Sequence, residues 1–192
     1  MHNHWLMVQY LRNMPLLDLL IDKSIINNYA QLALNVEERF LTPHIRASQN
    51  LDIEPSLGNE FYYDLLQNRD NDIYKALLNG GTYTFDSRTY MFQGLRASIA
   101  CYAFARYAQS ANVVSTPFGM QTKSAQEYAT TASNKDVQAV CADARASGMK
   151  YLSECLLFLN RNESTYPLWR DTQTCTSNEL PQSIRFGRPK KY

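Results

Sequence analysis

The feature that most constrains the fold of this sequence is a central run, residues 89–110, that is apolar on nearly every side when wound into a helix. Small residues alternate with large ones in this run, whose apolar members include Phe92, Leu95, Ala97, Ile99, Ala100, Cys101, Tyr102, Ala103, Phe104, Ala105 and Tyr107. A helix without a polar face must be surrounded, either by its own domain or by neighbouring chains. Because Arg96 and Arg106 interrupt the run, we read it as a buried helix and not as a membrane span.

Helical periodicity continues on both sides of the central run. Before it, residues 5–34 give a weak helical signal. A helix is predicted next, to about residue 51, and Pro43 kinks or ends it. A connector over 52–58 then leads to two helices that reach about residues 67 and 78. After it, residues 133–160 keep apolar side chains at i, i+3 and i+4, with Ser133 as N-cap and Asp136 at the capping-box position. We therefore predict a mainly α fold, a bundle of about five or six helices.

Three segments lack the helical period. Residues 82–85 alternate in the manner of a strand and predict a small β element or an extended lead-in. Residues 112–131 predict a protruding β-like hairpin or extended loop. Residues 162–192 contain three prolines and show no period, which is typical of an extended tail. This pattern divides the chain into a helical domain, residues 1–161, whose first 35 residues give the weakest signal, and an extended basic C-terminal tail, residues 162–192.

Composition favours a protein that buries surface. Charged residues make up only 19% of the chain, and it contains 13 tyrosines. Tyrosine is enriched in protein interfaces, although a large Tyr-lined core explains the same composition equally well. The net charge of +1 provides no overall attraction to nucleic acid or membrane.

Residues that carry chemistry are sparse. His2 and His4 are the only closely spaced histidines, and two ligands at a terminus seldom make a metal site. The acidic pair Glu37-Glu38 fits the first turn of a helix, where the helix dipole favours carboxylates. No cysteine lies in a CxxC pair, so we expect reduced thiols at Cys101, Cys141, Cys155 and Cys175. We predict no catalytic, cofactor-binding or metal residues, and a small enzyme using Cys155 or Glu37 is the remote alternative.

Two stretches resemble connector proteins of tailed bacteriophages. Asp52-Ile53-Glu54-Pro55-Ser56-Leu57-Gly58, between two predicted helices, resembles the "helix, x-I-x-P-x-L-G, helix" pattern of head-to-tail connectors. Residues 80–107, from Gly80-Gly81-Thr82-Tyr83 to the central run, resemble the central segment of a connector group from crAss-like phages of gut Bacteroidales. The resemblance covers roughly residues 36–160, and its motifs are structural.

The resemblance implies a structural virion protein, one of typically twelve copies in a homo-oligomeric ring in the neck. Such a ring binds the portal protein and further neck or tail proteins. It extends a channel through which DNA passes without sequence-specific binding. The protein would be made in the host cytoplasm and would need no cofactor or membrane. The alternative function is a monomeric or dimeric helical protein-binding module that regulates a partner protein.

The candidate contact residues lie in the two non-helical segments near the C-terminus. In this group the loop before the last helix often reaches toward a neighbour or the channel, and Phe118 would be its apolar contact. The subunit-interface candidates are Val113, Val114, Phe118, Met120, Lys123, Trp169, Phe186 and Tyr192. The basic residues near the end can meet phosphates of DNA or dock on an adjacent subunit, and docking is favoured because two aromatics accompany them; they are Arg185, Arg188, Lys190 and Lys191.

Overall fold

A computed structural model describes residues 19–111, 113–117, 119–122 and 132–170 of the chain. The described elements are, in order, α1 (Lys23–Tyr29), α2 (Glu38–Ser48), a π-helical segment (Gln49–Ile53), α3 (Glu54–Leu57), α4 (Asn59–Gln67), α5 (Asp72–Asn79), β1 (Gly81–Phe85), β2 (Arg88–Phe92), α6 (Leu95–Ser110), β3 (Val113–Thr116), β4 (Gly119–Thr122) and α7 (Asn134–Arg161). The predicted mainly α bundle with a β hairpin is confirmed.

The central helix α6 is surrounded by its own chain. α7 packs along it, and α1, α2 and α5 contact it as well. The hydroxyl of Ser98 donates to the carbonyl oxygen of Gly148 at 2.8 Å, so the backbones of α6 and α7 lie close together. A side chain at Gly148 would already press on the ring of Tyr102 at 3.3 Å. An all-round apolar helix can be covered by its own domain or by neighbouring chains, and here the described part of the chain itself covers α6.

Helical structure continues after α2 through residues 52–57, within the segment 52–58 that the sequence predicted as a connector. Pro43 lies inside α2, so of the two predicted effects of this proline, a kink or an end of the helix, the end is wrong. The π-helical turn then leads directly into α3, which stops at Gly58 with φ of 79°. Tertiary contacts hold this π-helical turn: Gln49 is buried and accepts a hydrogen bond from the backbone N–H of Leu20.

An ion pair joins the same π-helical turn to the central helix. The guanidinium of Arg106 donates to both carboxylate oxygens of Asp52, at 2.8 and 2.9 Å. Hydrogen bonding to Asp52 raises the pKa of Arg106 above its ordinary value. A forked contact of this kind fixes direction as well as distance, so it sets the position of the turn along α6.

The strand predicted at residues 82–85 is confirmed, but its partner was misread as the start of the central helix. Arg88–Phe92 pairs with Gly81–Phe85 in an antiparallel hairpin, and α6 begins only at Leu95. Gly80 and Gly94 flank the hairpin, and both have a positive φ. Their backbones approach so closely that a Cβ on either residue would collide with the other segment. Only glycine fits at both positions.

The first part of the predicted tail belongs to the core. Trp169 is 3% exposed, its Nε1–H donates to the side-chain oxygen of Asn160 at 2.7 Å, and its ring meets Phe61 edge-on. The hydroxyl of Tyr166 donates to the carbonyl oxygen of Ile73 at 2.9 Å. Aromatic packing against α4 and α5 therefore corrects the expectation of an extended segment for residues 162–170. Residues 171–192 lie outside the described part of the chain.

Candidate assembly surfaces

The hairpin predicted after the central helix is present. β3 and β4 pair antiparallel, with Val113 opposite Thr122, Val114 opposite Gln121 and Ser115 opposite Met120. Apart from this pairing, neither strand packs extensively on another described element. The side chain of Val113 is 39% exposed, as a contact residue would require.

The structure brings few of the other predicted contact residues together. The prediction of Trp169 as a subunit-interface residue is wrong, because a ring buried in the chain's own core has almost no surface left for a second subunit. Val114 and Met120 are placed by their backbone pairing in β3 and β4. The remaining candidates lie outside the described residues: Phe118, Lys123, Arg185, Phe186, Arg188, Lys190, Lys191 and Tyr192.

The cysteine thiols of the described ranges are packed in the core. Burial raises the pKa of Cys101 to about 11, with a smaller electrostatic contribution from Asp143. Burial also raises the pKa of Cys155, so both thiols stay protonated at neutral pH and are weak nucleophiles. Cys101, Cys141 and Cys155 are free and buried, as predicted. Within the described ranges, no three side chains of His, Cys, Asp or Glu are grouped to hold a metal ion.

His44 lies at the surface between α2 and the end of α6. Its Nε2 is 3.2 Å from the hydroxyl oxygen of Ser110, and its ring meets Tyr107 edge-on. Burial first, and then the positive charge of Arg106, lower the pKa of His44 below 6.5. The Ser110 hydroxyl also lies within hydrogen-bond reach of carbonyl oxygens in its own helix, at Arg106 and Tyr107, so we read it as part of a helix end.

The loop between α1 and α2 presents apolar side chains to solvent. Leu34 in this loop is 98% exposed, and Phe40, which follows the loop in the first turn of α2, is 54% exposed. The ammonium group of Lys23 donates to the carbonyl oxygens of Leu34 and Val36, at 2.9 and 2.6 Å, and so ties the loop to α1. These two hydrogen bonds hold the fully exposed Leu34 in place beside α1.

The β1–β2 hairpin has one packed face and one open face. On the packed face, Arg161 from the end of α7 lies 3.9 Å from the ring centre of Tyr90 and donates to the hydroxyl oxygen of Tyr83. On the open face, Met91 is 70% exposed. The cation–π contact fixes the hairpin to α7, and the open face remains available for contact.

A stripe without charged residues follows the exposed side of α7, flanked by exposed charged residues such as Asp143 and Lys150. Its residues recur at alternating intervals of three and four, the heptad spacing of helix-pairing surfaces, and form the α7 seam: Ala139, Ala142, Ala146, Met149, Ser153 and Leu156. All except the half-buried Leu156 are exposed, and Met149 is 66% exposed. Leu157 beside it is 45% exposed. Sequence reasoning missed this seam, although its three-and-four spacing was readable.

Comparison with protein families gives one match. The model for "Family of unknown function (DUF6712)" matches residues 53–179, well over half of the chain. The chain belongs to DUF6712. The part shared with the family begins at the end of the π-helical turn and runs through α7 and the packed residues Tyr166 and Trp169. The range that matches the DUF6712 model therefore continues past residue 161, where α7 ends.

Two further comparisons add no relatives for this DUF6712 protein. No curated protein matches it, and no solved structure matches it. A search of the described helices finds none that is both long enough and apolar enough to span a membrane.

Proposed function

We propose that this chain is a structural virion protein of a tailed phage, a subunit of the neck ring that joins the portal to the tail and extends the DNA channel. The proposal takes its direction from the resemblance to phage connectors of residues 52–58 with their flanking helices, and of residues 80–107. A net charge of +1 suits a channel that lets DNA pass without gripping it.

The observation that carries the proposal is the separation of exposed apolar side chains over several elements. Leu34 lies on the α1–α2 loop, Leu51 on the π-helical turn, Met91 on the β1–β2 hairpin and Met149 on α7, and each is more than 60% exposed. A ring subunit contacts its two neighbours through two different patches and also binds proteins above and below. Exposed apolar side chains on four separate elements are compatible with contacts on several sides, whereas a one-partner binding module needs only one contact surface.

The experiment combines the purified chain with the portal protein of the same phage and measures mass by native mass spectrometry, with electron microscopy for symmetry. We expect a closed ring, twelve copies in the simplest case, seated on the portal. A chain that stays monomeric or dimeric and ignores the portal would contradict the proposal. One-to-one binding of a different protein would support the regulatory module instead.

Variants of the loops test which surfaces close the ring. Leu34→Asp should reduce ring formation without unfolding the chain, because that side chain has no packing to lose. Phe118→Ala, in the loop before α7, should weaken ring assembly and leave the monomer folded. Native mass spectrometry reports ring assembly, and circular dichroism reports folding. Unchanged assembly in both variants would remove these two loops from the ring interface.

A further inference from the structure

We propose that the α7 seam is a self-association surface, on which a second copy of this chain packs its own α7 in the antiparallel direction. This inference goes beyond the proposed function, because a two-fold contact between two copies is not the contact that closes a ring. The seam extends over 17 residue steps from Ala139 to Leu156, which is about 26 Å of helix. No described element covers its exposed residues.

Side-chain size favours the antiparallel direction. The N-terminal half of the seam is small, with Ala139, Ala142 and Ala146, and the C-terminal half is larger. In an antiparallel pair, each alanine meets a larger partner: Ala139 faces Leu156, Ala142 faces Ser153 and Ala146 faces Met149. In a parallel pair, alanine would face alanine and leave voids, while Met149 would face its own copy. Packing without voids therefore selects the antiparallel arrangement.

Charge at the edge of the seam favours the same arrangement. Asp143 and Lys150 are both exposed and occupy equivalent heptad positions on one flank, where antiparallel helices bring like positions together. With Ala146 opposite Met149, Asp143 of each copy lies beside Lys150 of the other, which gives two symmetric ion pairs. Lys150 is also 3.2 Å from Glu154 of its own chain, and its side chain is 70% exposed, so it can reach a partner carboxylate.

The main test measures the mass of the full chain by light scattering over a range of concentrations. We expect a dimer, and we expect Ala146→Glu to weaken it at least tenfold because a charge would enter the centre of the seam. Ala76→Glu is the matched control, since it makes the same change at an exposed position of another helix, α5. A chain that is monomeric at all concentrations, or equal effects of the two variants, would overturn the inference.

A charge exchange tests the arrangement directly. Asp143→Lys should weaken the dimer by placing like charges together, and the double variant Asp143→Lys with Lys150→Asp should restore it. Direction is tested by mixing chains that carry Ala142→Cys with chains that carry Ser153→Cys. An antiparallel pair forms mixed disulfides, and disulfides only between identical variants would refute the proposal.

The outcomes separate this inference from the proposed function. A ring on the portal that forms equally well with Ala146→Glu, from a chain that never dimerises, rejects the α7 pairing and leaves the ring intact. A dimer that follows the charge exchange, from a chain that ignores the portal, supports the pairing and rejects the ring.

Discussion

Replacing Trp169 by alanine should cost this protein a large part of its stability. The ring is 3% exposed and packs edge-on to Phe61 at 5.6 Å between ring centres. A buried tryptophan removes about 150–250 Å² from water, which at about 25 cal/mol per Å² is worth roughly 4–6 kcal/mol. Measured losses for such truncations in other proteins are about 3–5 kcal/mol, and small domains have only about 5–15 kcal/mol in total.

The assay is urea denaturation followed by far-UV circular dichroism, which avoids interference from the second tryptophan, Trp5. Leu168→Ala is the control in the same segment, because its side chain is 43% exposed and should cost less than about 1 kcal/mol. A chain cut after residue 161 should lose at least as much stability as Trp169→Ala. If Trp169→Ala costs no more than Leu168→Ala, residues 162–170 are not part of the folded domain.

Three further changes test other parts of the structure. Gly94→Ala should destabilise the chain by about 2 kcal/mol or more, because φ of 82° and the nearby backbone of Gly80 leave no room for a Cβ; an unchanged urea midpoint would contradict that close approach. Asp86→Asn combined with Ser87→Gly should raise stability by about 1 kcal/mol, since both turn residues have positive φ, and a lower melting temperature would count against the turn geometry. The pKa of His44 is lower in the folded than in the unfolded chain, so between the two values the unfolded chain binds more protons and stability falls as pH drops below 6.5. Stability measured across pH should therefore fall less steeply in His44→Gln, and identical profiles would exclude His44 as a cause.

Sequence patterns predicted the elements that local chemistry defines. Ser133 accepts a hydrogen bond from the backbone N–H of Asp136 and begins α7, as the capping-box spacing indicated. Gly80 ends α5 with a positive φ, as its place after Asn79 suggested. Signals of this kind lie within a few residues of one another, so no knowledge of the remaining chain is needed to read them.

The misread elements depend on distant partners. Strand β2 continues the apolar composition of α6, and only its pairing with β1 distinguishes Tyr90 as a strand residue. Tyr166 and Trp169 follow a helix in a polar, proline-containing segment, and their burial depends on aromatic rings such as Phe61, about a hundred residues away in sequence. The α7 seam was hidden because a buried face and a contact face of one helix share the same periodicity.

The position of α6 has a consequence for how the chain is made. Its packing partners come from both ends of the described sequence, α1 and α2 before it and α7 after it. During synthesis on the ribosome, α6 emerges before α7. Ala105 of α6 accepts a hydrogen bond from Cys141 of α7, so residues of this kind stay uncovered until α7 has been translated. A nascent chain that stops before Asn134 has an open apolar side and is prone to aggregate. The domain therefore becomes complete only after α7 has left the ribosome.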